Sequence, residues 1–253
     1  MTILNNKKVY STVEFDCWAN RKDLSFDEKY IIEFFLNKGE KTLEAGTAGG
    51  RILLEMKKLG FTSLHGFDFV PEFIEMAKQK DDTHSIVFEL QDATNLNYEN
   101  LSFQQILYLQ QIICSIEDEL GRLKAFKEAY RILKSGGTAL FSFLSFEVRS
   151  KSAIYLPYLT YLRLSRKLRH AKISIQYLPW LKLGGKLNFS LFLDSGPYVY
   201  WYKLQEVYQL LREVGFEVVA IGSSYQIRLG RMYDFEKLVN EPIQGMLYFV
   251  CKK

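Results

Sequence analysis

In Lys41-Thr42-Leu43-Glu44-Ala45-Gly46-Thr47-Ala48-Gly49-Gly50-Arg51 a short apolar run ends in a carboxylate and then in a turn of small residues. The turn opens directly into the apolar-periodic segment 52–59, so the stretch reads as a strand, a tight loop and a helix. Small side chains let a ligand approach the backbone, and a helix starting near Gly49 directs its unpaired N–H groups into the same gap. The loop suits a nucleotide-like ligand, although a small-residue turn is also ordinary punctuation between a strand and a helix. Its spacing is not the G-x-G-x-x-G of dinucleotide sites.

Downstream the same rhythm repeats. Residues 62–69 predict a second strand finishing in Asp68, and Pro71 opens a helix to about Lys80. Residues 85–90 predict a third strand, followed by Gln91-Asp92-Ala93, and residues 105–109 a fourth. A helix over about 118–133 is closed by Ser135-Gly136-Gly137, whose glycines supply a left-handed stop before a strand at 138–144. Upstream, Ser25-Phe26-Asp27-Glu28 fits the capping box of a helix ending near Gly39. After residue 202 come a helix to about 214, a strand at 216–221 and a last strand at 246–251. Alternating strands and helices predict an open α/β fold with a mostly parallel sheet covered on both faces, its ligands held at the strand ends where the order reverses.

The 253 residues, 48% hydrophobic and 25% charged, suit one sizeable domain. Met1–Asn6 is polar rather than signal-like, and no apolar run approaches the ~18 residues of a membrane span, so a soluble, cytoplasmic chain is expected. Cys17, Cys114 and Cys251 are widely spaced, which argues against a disulfide scaffold or a metal site. The net charge of +4 is unevenly spread. Residues 148–193 contain no acid but nine basic residues, namely Arg149, Lys151, Arg163, Arg166, Lys167, Arg169, Lys172, Lys182 and Lys186. Removing these nine from the 33 Lys and Arg leaves 24 against 29 acids, so one segment supplies the basicity.

Several of these stretches together resemble a class I S-adenosylmethionine-dependent methyltransferase of the small-molecule type. Leu43 to Arg51 is similar to that family's first motif, with Ala48 where a glycine is usual. His65-Gly66-Phe67-Asp68-Phe69-Val70-Pro71 resembles its second, and Gln91-Asp92-Ala93 its third. Residues 131–138 and 211–218 are similar to its approaches to the fifth and sixth strands. The resemblance implies a Rossmann-like, seven-stranded, mostly parallel sheet with the last strand antiparallel. It divides the chain into an N-terminal helical lid (1–40), a cofactor-binding core (41–146), an aromatic and basic cap insertion (147–200) and the C-terminal part of the sheet (201–253).

The same resemblance implies S-adenosylmethionine as cofactor, with Asp68 accepting from the ribose diol and Phe69 against the adenine. Asp92 and Ala93 serve the adenine edge. Glu44 holds the methionine amino end, with Leu109 and Gln110 beside it, while Gly46 and Thr47 let the backbone close in. A nicotinamide dehydrogenase fits less well, because the second glycine needed for pyrophosphate approach is missing. Arg51 reads as a solvated helix residue and His65 as a core histidine.

Methyl transfer does not require a nucleophilic residue, and a base matters only for acceptors that must lose a proton. The stretch 110–114 carries no histidine where many relatives have one, which leaves His170 as the candidate base. Gln111, Tyr155 and Tyr158 are the candidate substrate contacts, and Tyr10 and Trp18 either fold over the site or pack on the sheet edge. A cap closing an aromatic pocket over a small acceptor, whether acidic or not, is the leading reading of the insertion. A membrane-surface helix taking lipid acceptors competes with it, as does nucleic-acid contact, although no RNA-binding module accompanies the insertion. A non-catalytic protein that keeps the fold is a further alternative.

Overall fold

The computed structural model describes residues 6–253, so the first five residues, which carry most of the polar start Met1–Asn6, lie outside the described residues. The strand that opens the quoted stretch, β1 (Thr42–Ala45), is buried along its whole length. It pairs in parallel with β2 (Leu64–Asp68) on one side and with β4 (Phe103–Tyr108) on the other. β3 (Val87–Leu90) extends the sheet beyond β2, and β5 (Leu133–Leu144) extends it beyond β4. Two later strands, β10 (Glu217–Ser223) and β11 (Met246–Lys252), complete the order β10-β11-β5-β4-β1-β2-β3. β11 runs antiparallel to both of its neighbours. The sheet is thus the seven-stranded, mostly parallel Rossmann-like arrangement, and its order reverses between β1 and β4.

Helices cover both faces, burying two apolar clusters. One, containing Phe126, Phe141, Phe143, Val207 and Phe249, lies under α6 (Glu119–Ile132) and α9 (Leu204–Val214). The other, containing Ile31, Ile32, Leu53, Met56 and Ala77, lies under α3 (Phe26–Phe35), α4 (Arg51–Lys58) and α5 (Pro71–Lys80). Helix α3 begins with the anticipated capping box: the Ser25 hydroxyl accepts from the Glu28 N–H, and Glu28 accepts from the Ser25 N–H at 2.7 Å.

One anticipated boundary is wrong. Helix α6 passes into β5 at Leu133 without a glycine stop. Leu133 already pairs opposite Phe103, so Gly136, at φ +74°, lies inside the strand span and donates its N–H to Lys253 O at 2.7 Å. The glycines shape an irregular strand start, not a helix cap.

Between β5 and α9 the insertion forms a short helix α7 (Phe146–Ser150), the longer α8 (Leu156–Leu168) and two small ribbons. These pair β6 (Tyr177–Pro179) with β9 (Tyr198–Tyr200) and β7 (Lys182–Leu183) with β8 (Lys186–Leu187). Asp194, one residue beyond the acid-free stretch, takes up two of its cations. Arg166 forks onto both carboxylate oxygens at 2.6 and 2.9 Å, and Arg169 joins at 2.6 Å. The N-terminal helices α1 (Asn6–Ser11) and α2 (Phe15–Ala19) lie against the insertion. Asn6 Nδ2 donates to Tyr198 O at 3.1 Å, Glu14 Oε1 accepts from Gly184 N at 2.6 Å, and the Tyr10 ring meets Trp180 at 5.3 Å. Among the described residues no helix is long and apolar enough to cross a membrane.

Candidate active site

At the carboxyl ends of β1, β2 and β4 lies a cavity of about 530 Å³. The turn after β1 forms its floor. Gly46 sits at φ +63° with the Ile112 side chain where a Cβ would be, so any larger residue would be strained there and would displace Ile112. Ala48 also adopts positive φ, at +45°, a conformation that disfavours a side chain. That geometry lets the Ala48 N–H donate to Asp68 Oδ2 at 2.9 Å, and the Val70 N–H donates to Oδ1 at 3.1 Å. Backbone donors thus hold both Asp68 oxygens in place.

Two buried carboxyls, Glu44 and Asp68, face this cavity, and neither makes an ion pair among the described residues. Burial pushes Glu44 up to about 8, against the lowering effect of the Thr47 hydroxyl that donates to it at 2.7 Å. Burial likewise pushes Asp68 up to about 6, against its backbone donors. Asp92, at the exposed rim, uses one oxygen to accept from the Thr94 N–H and hydroxyl, both at 2.8 Å.

Arg51, expected to be solvated, is buried and forks onto Glu28 at 2.7 and 2.8 Å while donating to Asp23 O. The correction has a plain cause: the Glu28 partner sits 23 residues upstream on α3, and only the packed fold brings it to α4. Burial alone would raise Glu28, but the hydrogen bonds and charge of Arg51 hold it below the usual carboxylate range. Gln110 Nε2 donates to the same carboxylate, and Arg21 donates to Gln110 Oε1 at 2.8 Å.

A second cavity of about 290 Å³ adjoins the first, sharing Tyr10, Trp18 and Ser115 as lining residues. The Tyr10 hydroxyl bonds Ser115 Oγ at 2.8 Å, and burial pushes its pKa up, so it stays protonated. The outer walls come from the insertion and the residues after it: Arg149, Tyr155, Tyr158, Leu178, Trp180 and Trp201. Glu14 is the one carboxylate among the lining residues.

Gln110 and Gln111 follow β4 in consecutive left-handed conformations, φ +55° and +64°. The first lines the large cavity and the second the small one.

The order of strands, the glycine turn and the carboxylates at strand ends coincide with what the sequence itself matches. A family model described as a methyltransferase domain matches residues 42–137. Over these residues the chain is similar to that domain. It has the Rossmann-like fold of methyltransferases that use S-adenosylmethionine, and solved structures share that fold across nearly the whole chain. A SAM-dependent methyltransferase from Methanosarcina mazei aligns with TM-score 0.64 and 19% identity over 88% of this chain and 96% of its own. A possible histamine N-methyltransferase from Thermotoga maritima aligns with TM-score 0.58 and 18% identity over 97% and 98%. The complex of the Trm112 methyltransferase activator of Haloferax volcanii with a putative methyltransferase gives TM-score 0.58 and 16% identity over 94% and 95%. No curated protein matches the sequence.

The donors and acceptors of the larger cavity suit S-adenosylmethionine, which carries a cationic amino end and a ribose diol. Glu44 and Asp68 are both raised by burial. Of the residues read from the sequence, Glu44, Gly46, Thr47, Asp68, Phe69, Asp92, Ala93 and Gln110 line the large cavity. Leu109 does not, being buried in the core instead. Gln111, Tyr155 and Tyr158 line the second cavity.

His170 reaches neither cavity. It is exposed in the turn after α8, at φ +52°, because Arg166 and Arg169 turn that end of the helix toward Asp194. Sequence reading missed Glu14, Ser115, Arg149 and Trp201, and no local pattern marks them.

Proposed function

We propose that the chain transfers a methyl group from S-adenosylmethionine to a small acceptor held in the second cavity. The observation that carries this reading is the meeting of two cavities at Tyr10, Trp18 and Ser115, one lined by strand-end carboxylates and the other by aromatic side chains. When bound, the cofactor supplies a sulfonium methyl whose positive charge disperses as it transfers. Asp68, held by backbone N–H groups at the end of β2, accepts from the ribose hydroxyls, and Glu44 faces the amino end. Phe69, edge-on to Tyr10 at 6.2 Å, and Asp92 with Ala93 bound the adenine end. Tyr10 and Trp18, in the role of a lid formed by the N-terminal segment, exclude water from the junction, while the cap at 147–200 positions the acceptor. No histidine lines either cavity, which suits an acceptor atom already nucleophilic at neutral pH.

Calorimetric titration with S-adenosylmethionine and its demethylated product should give saturable binding; absence of both would overturn this reading. Labelled cofactor incubated with a cell extract should then label low-mass compounds rather than RNA or protein.

A second reading, peripheral contact with an anionic membrane and a lipid acceptor, draws support from the insertion's outer face. There Leu164, Leu168, Phe189 and Phe192 are exposed near Arg163 and Lys167. Co-sedimentation with vesicles containing anionic lipid, together with label in the lipid fraction, would favour it over the first.

A further inference from the structure

Arg149 differs from the other arginines that pack inside this molecule. Arg51 donates to Glu28 and Asp23, Arg122 to Ile116, Glu117 and Tyr177, and Arg166 to Asp194, Ser174 and Tyr177. The half-buried guanidinium of Arg149 has no carboxylate or carbonyl acceptor among the described residues. It lies between two rings, 3.8 Å from the centroid of Tyr155 and 4.3 Å from that of Trp201. Burial alone, with no anion to oppose it, pulls its pKa down to about 10.

The support beneath it is stiff. Arg149 stands on α7 directly after β5, where the Phe146 N–H donates to Tyr202 O at 2.7 Å, so residue 149 and its neighbour ring at 201 are anchored by the same sheet edge. The cavity in front of it is short of acceptors in another way. Trp18, Trp180 and Trp201 are the three tryptophans of the chain, all three line this cavity, and each has its indole N–H buried without a partner among the described residues. Lys182 adds a second cation at the exposed rim.

Building on the two-cavity reading above, we infer that the acceptor is a small organic carboxylate with an aromatic body. Its carboxylate pairs with the Arg149 fork and its ring lies among the tryptophans and tyrosines. A guanidinium offers five N–H donors in a fork matched to a carboxylate, and holding it between two rings preserves that fork. A single charge suits the site better than a phosphate dianion, because the Glu14 carboxylate lines the same cavity, with Oε1 accepting from Gly184.

The test uses the full chain saturated with the demethylated cofactor product, whose own binding is measured first and separately. Benzoate, phenylacetate and 3-phenylpropionate are then titrated beside their primary amides, with tryptophan fluorescence as the readout, since every tryptophan borders this cavity. At least one acid should saturate the signal and bind about tenfold or more tightly than its amide. Arg149→Gln should abolish that preference while leaving binding of the cofactor product intact, and Arg149→Lys should restore part of it. Equal affinity for acids and amides, no saturation by any acid, or an undiminished preference in Arg149→Gln would overturn the inference. Failure of the cofactor product to bind would instead overturn the methyltransferase reading.

Discussion

The two cavities are built by opposite means. The larger one is made by backbone: the turn after β1, the N–H groups of Ala48 and Val70 on Asp68, and carboxylates presented by the ends of parallel strands. The smaller one is made by side chains from chain segments far apart, Tyr10 and Glu14 from the N-terminal helices, Ser115 after β4, Arg149 and Tyr155 from the insertion, and Trp201 after it. A site of the first kind tolerates little change in its turn but presents the same chemistry whatever the rest of the chain does. A site of the second kind can be re-lined residue by residue without disturbing the sheet, which is how one scaffold serves many acceptors.

Substitutions should expose this contrast, the strongest where a buried charge loses its partner. Arg51→Ala leaves Glu28 inside the protein without its fork and should cost about 3–5 kcal/mol of stability by chemical denaturation. A loss near that of a surface pair, under ~1 kcal/mol, would show that the pair does not brace the larger cavity. Asp68→Ala should weaken binding of the demethylated cofactor by about 1.5–3 kcal/mol in calorimetry. It should leave the Arg149 side of the molecule unaltered, and unchanged affinity would remove Asp68 from the cofactor site.

Acid–base behaviour separates the cavities again. Glu44 is raised to about 8 and Asp68 to about 6, so both bind protons at pH values where the unfolded chain has released them. With more protons bound in the folded state, the ligand-free protein loses stability as pH rises from about 4.5 toward 8, by up to about 1.4 kcal/mol per pH unit for each group in its window. A ligand whose cationic end favours ionised Glu44 should show the opposite trend, affinity rising through the same range with proton release. Calorimetry in buffers of different ionisation enthalpy checks this, and a flat profile with no proton release would contradict it. The smallest effect concerns strain in the turn. Ala48→Gly relieves a side chain at φ +45° and should stabilise the fold by about 0.5–1 kcal/mol, read as a higher denaturation midpoint; a lower midpoint would mean that the methyl contributes packing that outweighs the strain.

This contrast also explains what could be read from the chain beforehand. Apolar periodicity, a proline at a helix start and small residues at a strand end are local signals, so β1, its turn and the position of Asp68 were legible, while the seven-stranded sheet with its antiparallel last strand came from the family resemblance and the strand order only from the fold. The glycines at 136 and 137 misled because the same left-handed residue serves a helix stop and an irregular strand start, and only the pairing of Leu133 with Phe103 distinguishes them. Arg51 and Glu28 looked like unrelated helix residues until α3 packed on α4. Arg149 was one of nine cations in an acid-free stretch. What set it apart was the absence of a partner, and absence of a partner has no signature in sequence.

Gln110 and Gln111 give the two cavities a common hinge pin. One peptide bond links a side chain lining the larger cavity to a side chain lining the smaller, and both residues are held in a backbone conformation that non-glycine residues rarely adopt. If either ligand shifts that link, the free energy involved must appear equally in the affinity of the other. The Gln110–Gln111 link thus joins the shared walls of Tyr10, Trp18 and Ser115 as a path between the cavities, and the measure of it is reciprocity: a ligand in each cavity altering the dissociation constant of its neighbour by the same factor.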